Sequence, residues 1–225
     1  MEHSMDLIQF YGNHLTDEVS PCNYEPKVLV LFILDGSSSM RGKGICELNR
    51  GLKEFDSFFM NNEVAMAKLQ VGIVTFASDI KVIRKFSPLG NPPFPELTAV
   101  GRTLMVEGIK AGYTLMDNEI NYYKHRGLPP RQAFTILIAD GSPWPDKKLG
   151  NIPEIIDVGF REKKIIFQAF GAGNANFKVL NQLSTPEFPP QRIRGYNFEN
   201  LLRWLIPSIS IYLSGMKRLE YKPSY

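Results

Sequence analysis

The chain has 225 residues, of which 44% are apolar, 12% aromatic and 22% charged, with a net charge of +3. That is enough apolar material for one domain with a full core, and it excludes global disorder. A charge of +3 without a clustered basic patch excludes a nucleic-acid reading, and no apolar run approaches the ~18 residues of a membrane span.

Residues 1–26 show weak periodicity and are broken by Pro21 and Pro26, so they read as an N-terminal arm. The opening MEHSMDLIQFYG carries acids and lacks a basic stretch followed by a long apolar one. No signal peptide is read there, and the cytoplasm is the expected location. Two cysteines, Cys22 and Cys46, are too few for a disulfide framework in a chain of this size, so reduced thiols are expected. His3, His14 and His125 are scattered and give no zinc spacing with them.

The first strong element is Val28–Asp35, an unbroken apolar run ending in an aspartate. Such a run predicts a strand buried on both faces. Asp35-Gly-Ser37-Ser-Ser39 follows, offering one carboxylate and two hydroxyls at alternate positions. Apolar spacing predicts a helix over 46–61. Residues 69–77 predict a second strand and 80–86 a third, joined by a tight Ser78-Asp79 turn into an antiparallel hairpin. Lys81, Arg84 and Lys85 on the third strand suit an edge protected by charge.

A proline-rich loop covers 88–95, and TAVGRT at 98–103 leads into a helix over about 104–123. Residues 133–140 predict a buried strand that again ends in Asp-Gly, at Asp140. A helix over 152–162, a strand over 164–171, a short helix over 176–183 and a brief strand at 192–194 follow. A terminal helix over 198–213 should be kinked or split at Pro207. Residues 215–225 form a polar tail.

Alternating strands and helices predict an α/β fold: a doubly wound, mainly parallel six-stranded sheet with one antiparallel edge strand and helices on both faces. The first and fourth strands then flank the switch point where open α/β sheets place their ligands, so Asp35 and Asp140 converge by topology. Thr103, opening the preceding helix, can face the same crevice or cap its helix. Two carboxylates and three hydroxyls form an all-oxygen shell suited to Mg2+, with room for an outside oxygen. The bland alternative is that Ser37 and Ser39 cap the next helix. Ser142 is expected as a solvated turn residue rather than a support for Asp140. Trp144 is either a recognition anchor or packed under its loop. GAGNAN at 171–176 lacks the third glycine of a dinucleotide loop and reads as a turn. Arg192, Arg194, Lys217, Arg218 and Lys222 read as solvated.

The series ILDGSSSM, TAVGRT and IADG, in that order, resembles the von Willebrand factor A domain with its metal-ion-dependent adhesion site. The likeness spans about residues 27–214. It implies a Rossmann-like doubly wound sheet and a metal held by Asp35, Ser37, Ser39, Thr103 and Asp140. Mg2+ is the implied ion, with Mn2+ or Ca2+ as substitutes. The stretches PPFPELTAVGRTLMVEGI, FGAGNANFKVLNQLSTPEFP and FENLLRWLIPSIS are similar to bacterial tellurium-resistance-associated proteins of the TerY type. That subfamily implies an intracellular stress-response role beside a protein kinase and a phosphatase. The longer N-terminal arm and the bulky Leu104-Met105-Val106 depart from its pattern.

Three functions follow as expectations. The first is an interaction module whose metal takes an Asp or Glu from a protein partner. The second is a metal-dependent phosphoryl-transfer enzyme. The third is a scaffold with an unused metal site. An aspartyl phosphatase would need a second aspartate at position 37, where a serine stands, and no general base is evident. The chain is therefore expected not to be an enzyme.

Overall fold

The computed structural model describes residues 25–90, 92–141, 143, 149–163 and 165–214. Most of the expected arm, the tail, Ser142 and Trp144 lie outside the described residues, as do Cys22, His3, His14, Lys217, Arg218 and Lys222.

The strands are β1 (Val28–Asp35), β2 (Leu69–Phe76), β3 (Ile80–Pro88), β4 (Gln132–Ala139), β5 (Ile165–Gly171) and β6 (Gln191–Arg192). They form one sheet in the order β3-β2-β1-β4-β5-β6. Every pairing is parallel except β2 with β3. The predicted switch point is where the topology places it: β1 pairs with β2 on one side and β4 on the other.

Every apolar side chain of β1 is fully buried. Because side chains alternate across a strand, Val28, Val30, Phe32 and Leu34 enter one core, and Leu29, Leu31 and Ile33 enter the other. At about 1.5–3 kcal/mol per buried aliphatic or aromatic side chain, β1 anchors both layers.

The helices are α1 (Lys43–Met60), α2 (Glu63–Lys68), α3 (Met105–His125), α4 (Ile152–Lys163), α5 (Phe177–Gln182) and α6 (Phe198–Leu213). The first core is closed by α1, α2 and α6, and the second by α3, α4 and α5. Gly108 and Gly112 bring α3 close to the sheet. A methyl group at Gly108 would lie 2.7 Å from Phe76 Cβ, and one at Gly112 2.5 Å from Ile33 Cδ1.

Four details depart from the sequence reading. The six-residue α2 was not expected. It is too short to show an apolar period, and it is set by Asn62, whose side chain accepts from Ala65 N at 3.0 Å. Asn176 is not inside α5 but caps it, accepting from Lys178 N and Val179 N, so GAGNAN is a turn and a cap. α6 is one continuous helix across Pro207. Proline removes one backbone donor, but Leu205, Ile206, Ile209 and Leu213 stay buried, which holds the helix together.

Arg84 is the largest departure. On edge strand β3 it was expected to face water, yet it is only 3% exposed. Its guanidinium donates to the carbonyls of Val71, Ser87, Pro88 and Pro92 and lies 5.0 Å from the Phe94 ring centre. The register shifts in the β2–β3 pairing accompany this inward turn.

Candidate metal centre

Asp35 ends β1 and Asp140 immediately follows β4, and since these strands are parallel neighbours both carboxylates emerge at the same edge. Asp35 Oδ1 accepts from Ser37 N at 2.8 Å, and Asp35 Oδ2 accepts from Asp140 N at 3.4 Å. Ser37 Oγ and Ser39 Oγ share a hydrogen bond at 2.8 Å, and Ser39 Oγ donates to Asp140 Oδ1 at 2.6 Å. Four of the five predicted residues thus form one hydrogen-bonded cluster. Thr103 stands beside it: a methyl group placed on Gly141 would lie 3.9 Å from both Ser39 Oγ and Thr103 Oγ1.

The capping alternatives do not hold. Ser37 precedes a short 3-10 turn, Ser38–Met40, without a side-chain cap bond. α1 is preceded by Gly42, and α3 by Leu104, again without side-chain caps. The hydroxyls of Ser37 and Ser39 turn toward the carboxylates instead. Thr98, the other threonine of the TAVGRT loop, is exposed.

The loops that carry these residues are laced together by their backbones. Gly36 N donates to Phe76 O, Ser38 N to Gly101 O, Val100 N to Gly36 O and Leu104 N to Ala77 O. Ser38, whose side chain the sequence reading passed over, accepts from Gly101 N at 2.9 Å. Gly101 has φ +89°, and a Cβ there would lie 2.3 Å from Ser78 Oγ, so only glycine fits. Its position two residues before Thr103 fixes where that hydroxyl emerges.

Asp35 is fully buried, and burial pushes its pKa up to about 6. Hydrogen bonds from Ser37 pull the other way, and the charge of Asp140 adds to the rise. None of these influences comes from a cationic side chain. Among the described residues no lysine, arginine or histidine stands between these two buried carboxylates, so they repel, and a cation relieves that repulsion. Among the described residues no three His, Cys, Asp or Glu side chains gather, so the cluster is not of the thiolate or imidazole type. Its donors are carboxylate and hydroxyl oxygens, which fit a hard divalent ion.

One neighbour was missed in the sequence. Tyr196, in the loop between β6 and α6, donates its hydroxyl to Asp140 Oδ2 at 3.2 Å. Burial raises its pKa, and the negative charge of Asp140 adds to that. Only the position of Tyr196 just past the end of β6, at the edge shared with Asp35 and Asp140, could have signalled it.

The von Willebrand factor type A domain model matches residues 30–201. No curated protein matches the chain. Among solved structures, one similar fold is proximal thread matrix protein 1 from the mussel byssus, with a zinc-occupied metal-ion-dependent adhesion site. It has TM-score 0.58 and 16% identity, over 85% of this chain and 47% of that one. Another is the PilB minor pilin from Streptococcus sanguinis, with TM-score 0.56 and 14% identity, over 88% of this chain and 64% of that one. A third is a von Willebrand factor type A protein from Catenulispora acidiphila, with TM-score 0.57 and 12% identity, over 80% of this chain and 42% of that one. The chain spans less than two thirds of the length of each. At these identities the likeness establishes the fold. With the family model matching most of its length, the chain belongs to the von Willebrand factor type A domain family.

Proposed function

We propose that the domain is a metal-ion-dependent protein-interaction module. Asp35, Ser37, Ser39, Thr103 and Asp140 would hold one divalent cation, with Mg2+ as the ion of choice. The ion supplies a positive centre that a partner's Asp or Glu completes. The carrying observation is the buried pair Asp35 and Asp140, joined through Ser37 and Ser39, with no cationic side chain acting on Asp35 among the described residues. The hydroxyls add oxygen without adding charge, so the bound ion keeps positive charge for an outside carboxylate. The zinc-occupied site of the mussel protein supports a metal reading by analogy and leaves the choice of ion to measurement.

The binding module is favoured over an enzyme because position 37 is a serine and, among the described residues, no general base stands in the cluster. The tellurium-resistance or stress association and the kinase and phosphatase partners remain part of this reading through the sequence resemblance alone, and the cytoplasmic setting through that resemblance and the cysteine usage. Among the described residues no helix is long and apolar enough to cross a membrane.

Calorimetry with Mg2+, Mn2+ and Ca2+ tests the metal, and a pull-down from native cells with and without Mg2+ tests the partner. Asp35→Ala is expected to abolish both, and Mg2+ at a hundred times its Kd should stabilise the wild type by about 2.7 kcal/mol. Partner capture that survives EDTA would reject the module.

A further inference from the structure

An open cavity of about 440 Å3 lies beside the carboxylate cluster, lined by Lys43, Glu47, Arg50, Arg194, Tyr196 and Asn197 among others. Its volume falls within the range of about 300–1,000 Å3 typical of small-ligand pockets. Lys43, Glu47 and Arg50 are spaced i, i+4 and i+7, so they line one face of α1, and Arg194 and Tyr196 supply the opposite wall from the β6–α6 loop. Arg50 pairs with Glu47 at 3.4 Å. Three cations against one carboxylate leave the lining at a net +2.

Two further features make the same pocket receptive to an anion. α1 begins at Lys43, its cap residue Gly42 offers no side chain, and no acidic residue occupies its first turn, so the positive end of the helix is left uncovered. Tyr196 is shared between pocket and cluster, since the residue that lines the cavity also donates to Asp140. Its ring packs over Gly44, where an added methyl would lie 3.2 Å away. One tyrosine side chain therefore separates a doubly positive pocket from the site where a partner's carboxylate would meet the metal.

The geometry points to a phosphomonoester-binding subsite, occupied by a phosphorylated side chain of the same partner that reaches the metal. A phosphomonoester carries about −1.5 to −2 at neutral pH and matches the lining's charge, whereas a single carboxylate leaves half of it unanswered. Guanidinium groups also suit phosphate oxygens in geometry. The assignment of the occupant to a partner protein rests on the metal-dependent reading. The pocket itself does not.

The test has two arms. In EDTA, the domain is titrated with inorganic phosphate, O-phosphoserine and glutarate while the backbone amide resonances of residues 43–50 and 194–197 are followed. Saturable shifts with both phosphate probes, weak response to glutarate, and affinity lowered about tenfold or more in Arg194→Gln or Lys43→Gln support the subsite. Absence of shifts at about 10 mM phosphate, or binding unchanged in both variants, overturns it. Both substituted residues are exposed, so folding is not at stake.

The second arm adds Mg2+ and compares O-phosphoserine with short peptides carrying one phosphoserine and one glutamate at varied spacing. A peptide that binds at least about tenfold tighter than O-phosphoserine, and loses that gain in Asp35→Ala, supports a phosphorylated protein partner. Equal affinity overturns the partner assignment. Phosphate binding in EDTA without any Mg2+ binding would support the pocket and remove the metal reading together with the partner assignment that rests on it.

Discussion

Two of the buried carboxylate sites among the described residues are treated in opposite ways. Asp56, on α1, is buried, and burial raises its pKa, but a hydrogen bond from Gly90 N at 3.3 Å and the positive charge of Arg84 act against that rise. Arg84 is in turn covered by backbone carbonyls and the Phe94 ring. Asp35 is buried more deeply and faces a second carboxylate. Around Asp56 the chain supplies its own counter-charge; at the crevice, among the described residues, no cationic side chain acts on Asp35. A buried pair without a counter-charge is costly to keep, which is what the proposed metal would relieve.

Removing the internal cation should have the largest effect. Arg84→Met strips a cation from Asp56 and donors from several carbonyls, and is expected to cost about 3–5 kcal/mol in chemical denaturation. The double variant Arg84→Met with Asp56→Asn should recover part of that. A small loss in the single variant would mean that the two sites are alike.

Asp35→Asn should go the other way in the metal-free domain. A carboxyl whose folded pKa lies near 6, above its unfolded value of about 3.9, favours folding at low pH, and that benefit is lost as pH rises through about 6. Between pH 4 and 7 the wild type in EDTA should lose about 2 kcal/mol that Asp35→Asn does not lose. Urea midpoints at both pH values measure the difference. Parallel curves would remove the electrostatic penalty assigned to Asp35.

The convergence of Asp35 and Asp140 was legible in the sequence because two unbroken apolar runs each end in Asp-Gly, and buried parallel strands bring such ends to one edge. The serines were legible as oxygens but not as non-caps, since that needed the positions of Gly42 and Leu104. Arg84 was misread because alternation on a strand distinguishes two faces without saying that one folds over a charged side chain. Tyr196 was invisible because its partner lies 56 residues away and the preceding strand has only two residues. Pro207 announced a kink or a split, and the buried apolar face of α6 overrides the split.

Two smaller effects refine the picture of the crevice. Gly101→Ala forces a side chain into Ser78 at φ +89° and is expected to cost about 1–3 kcal/mol while weakening Mg2+ binding through Thr103. Calorimetry together with denaturation separates the two losses. Tyr196→Phe removes only the hydrogen bond to Asp140 and should cost about 1 kcal/mol or less, with a change in Mg2+ affinity of no more than several-fold. A larger loss of metal affinity would make Tyr196 an essential part of the centre.

The backbone lacing between the loops of Gly36–Met40, Ala77–Asp79 and Val100–Leu104 has a kinetic consequence. The loops that carry the oxygen donors are held by the chain's own backbone hydrogen bonds, so binding an ion should require little ordering of the chain. On the proposed reading, the slow step is the shedding of water by the ion itself. Magnesium gives up its water reluctantly and calcium readily, so the two ions should differ more in how fast they enter than in what they require of the protein.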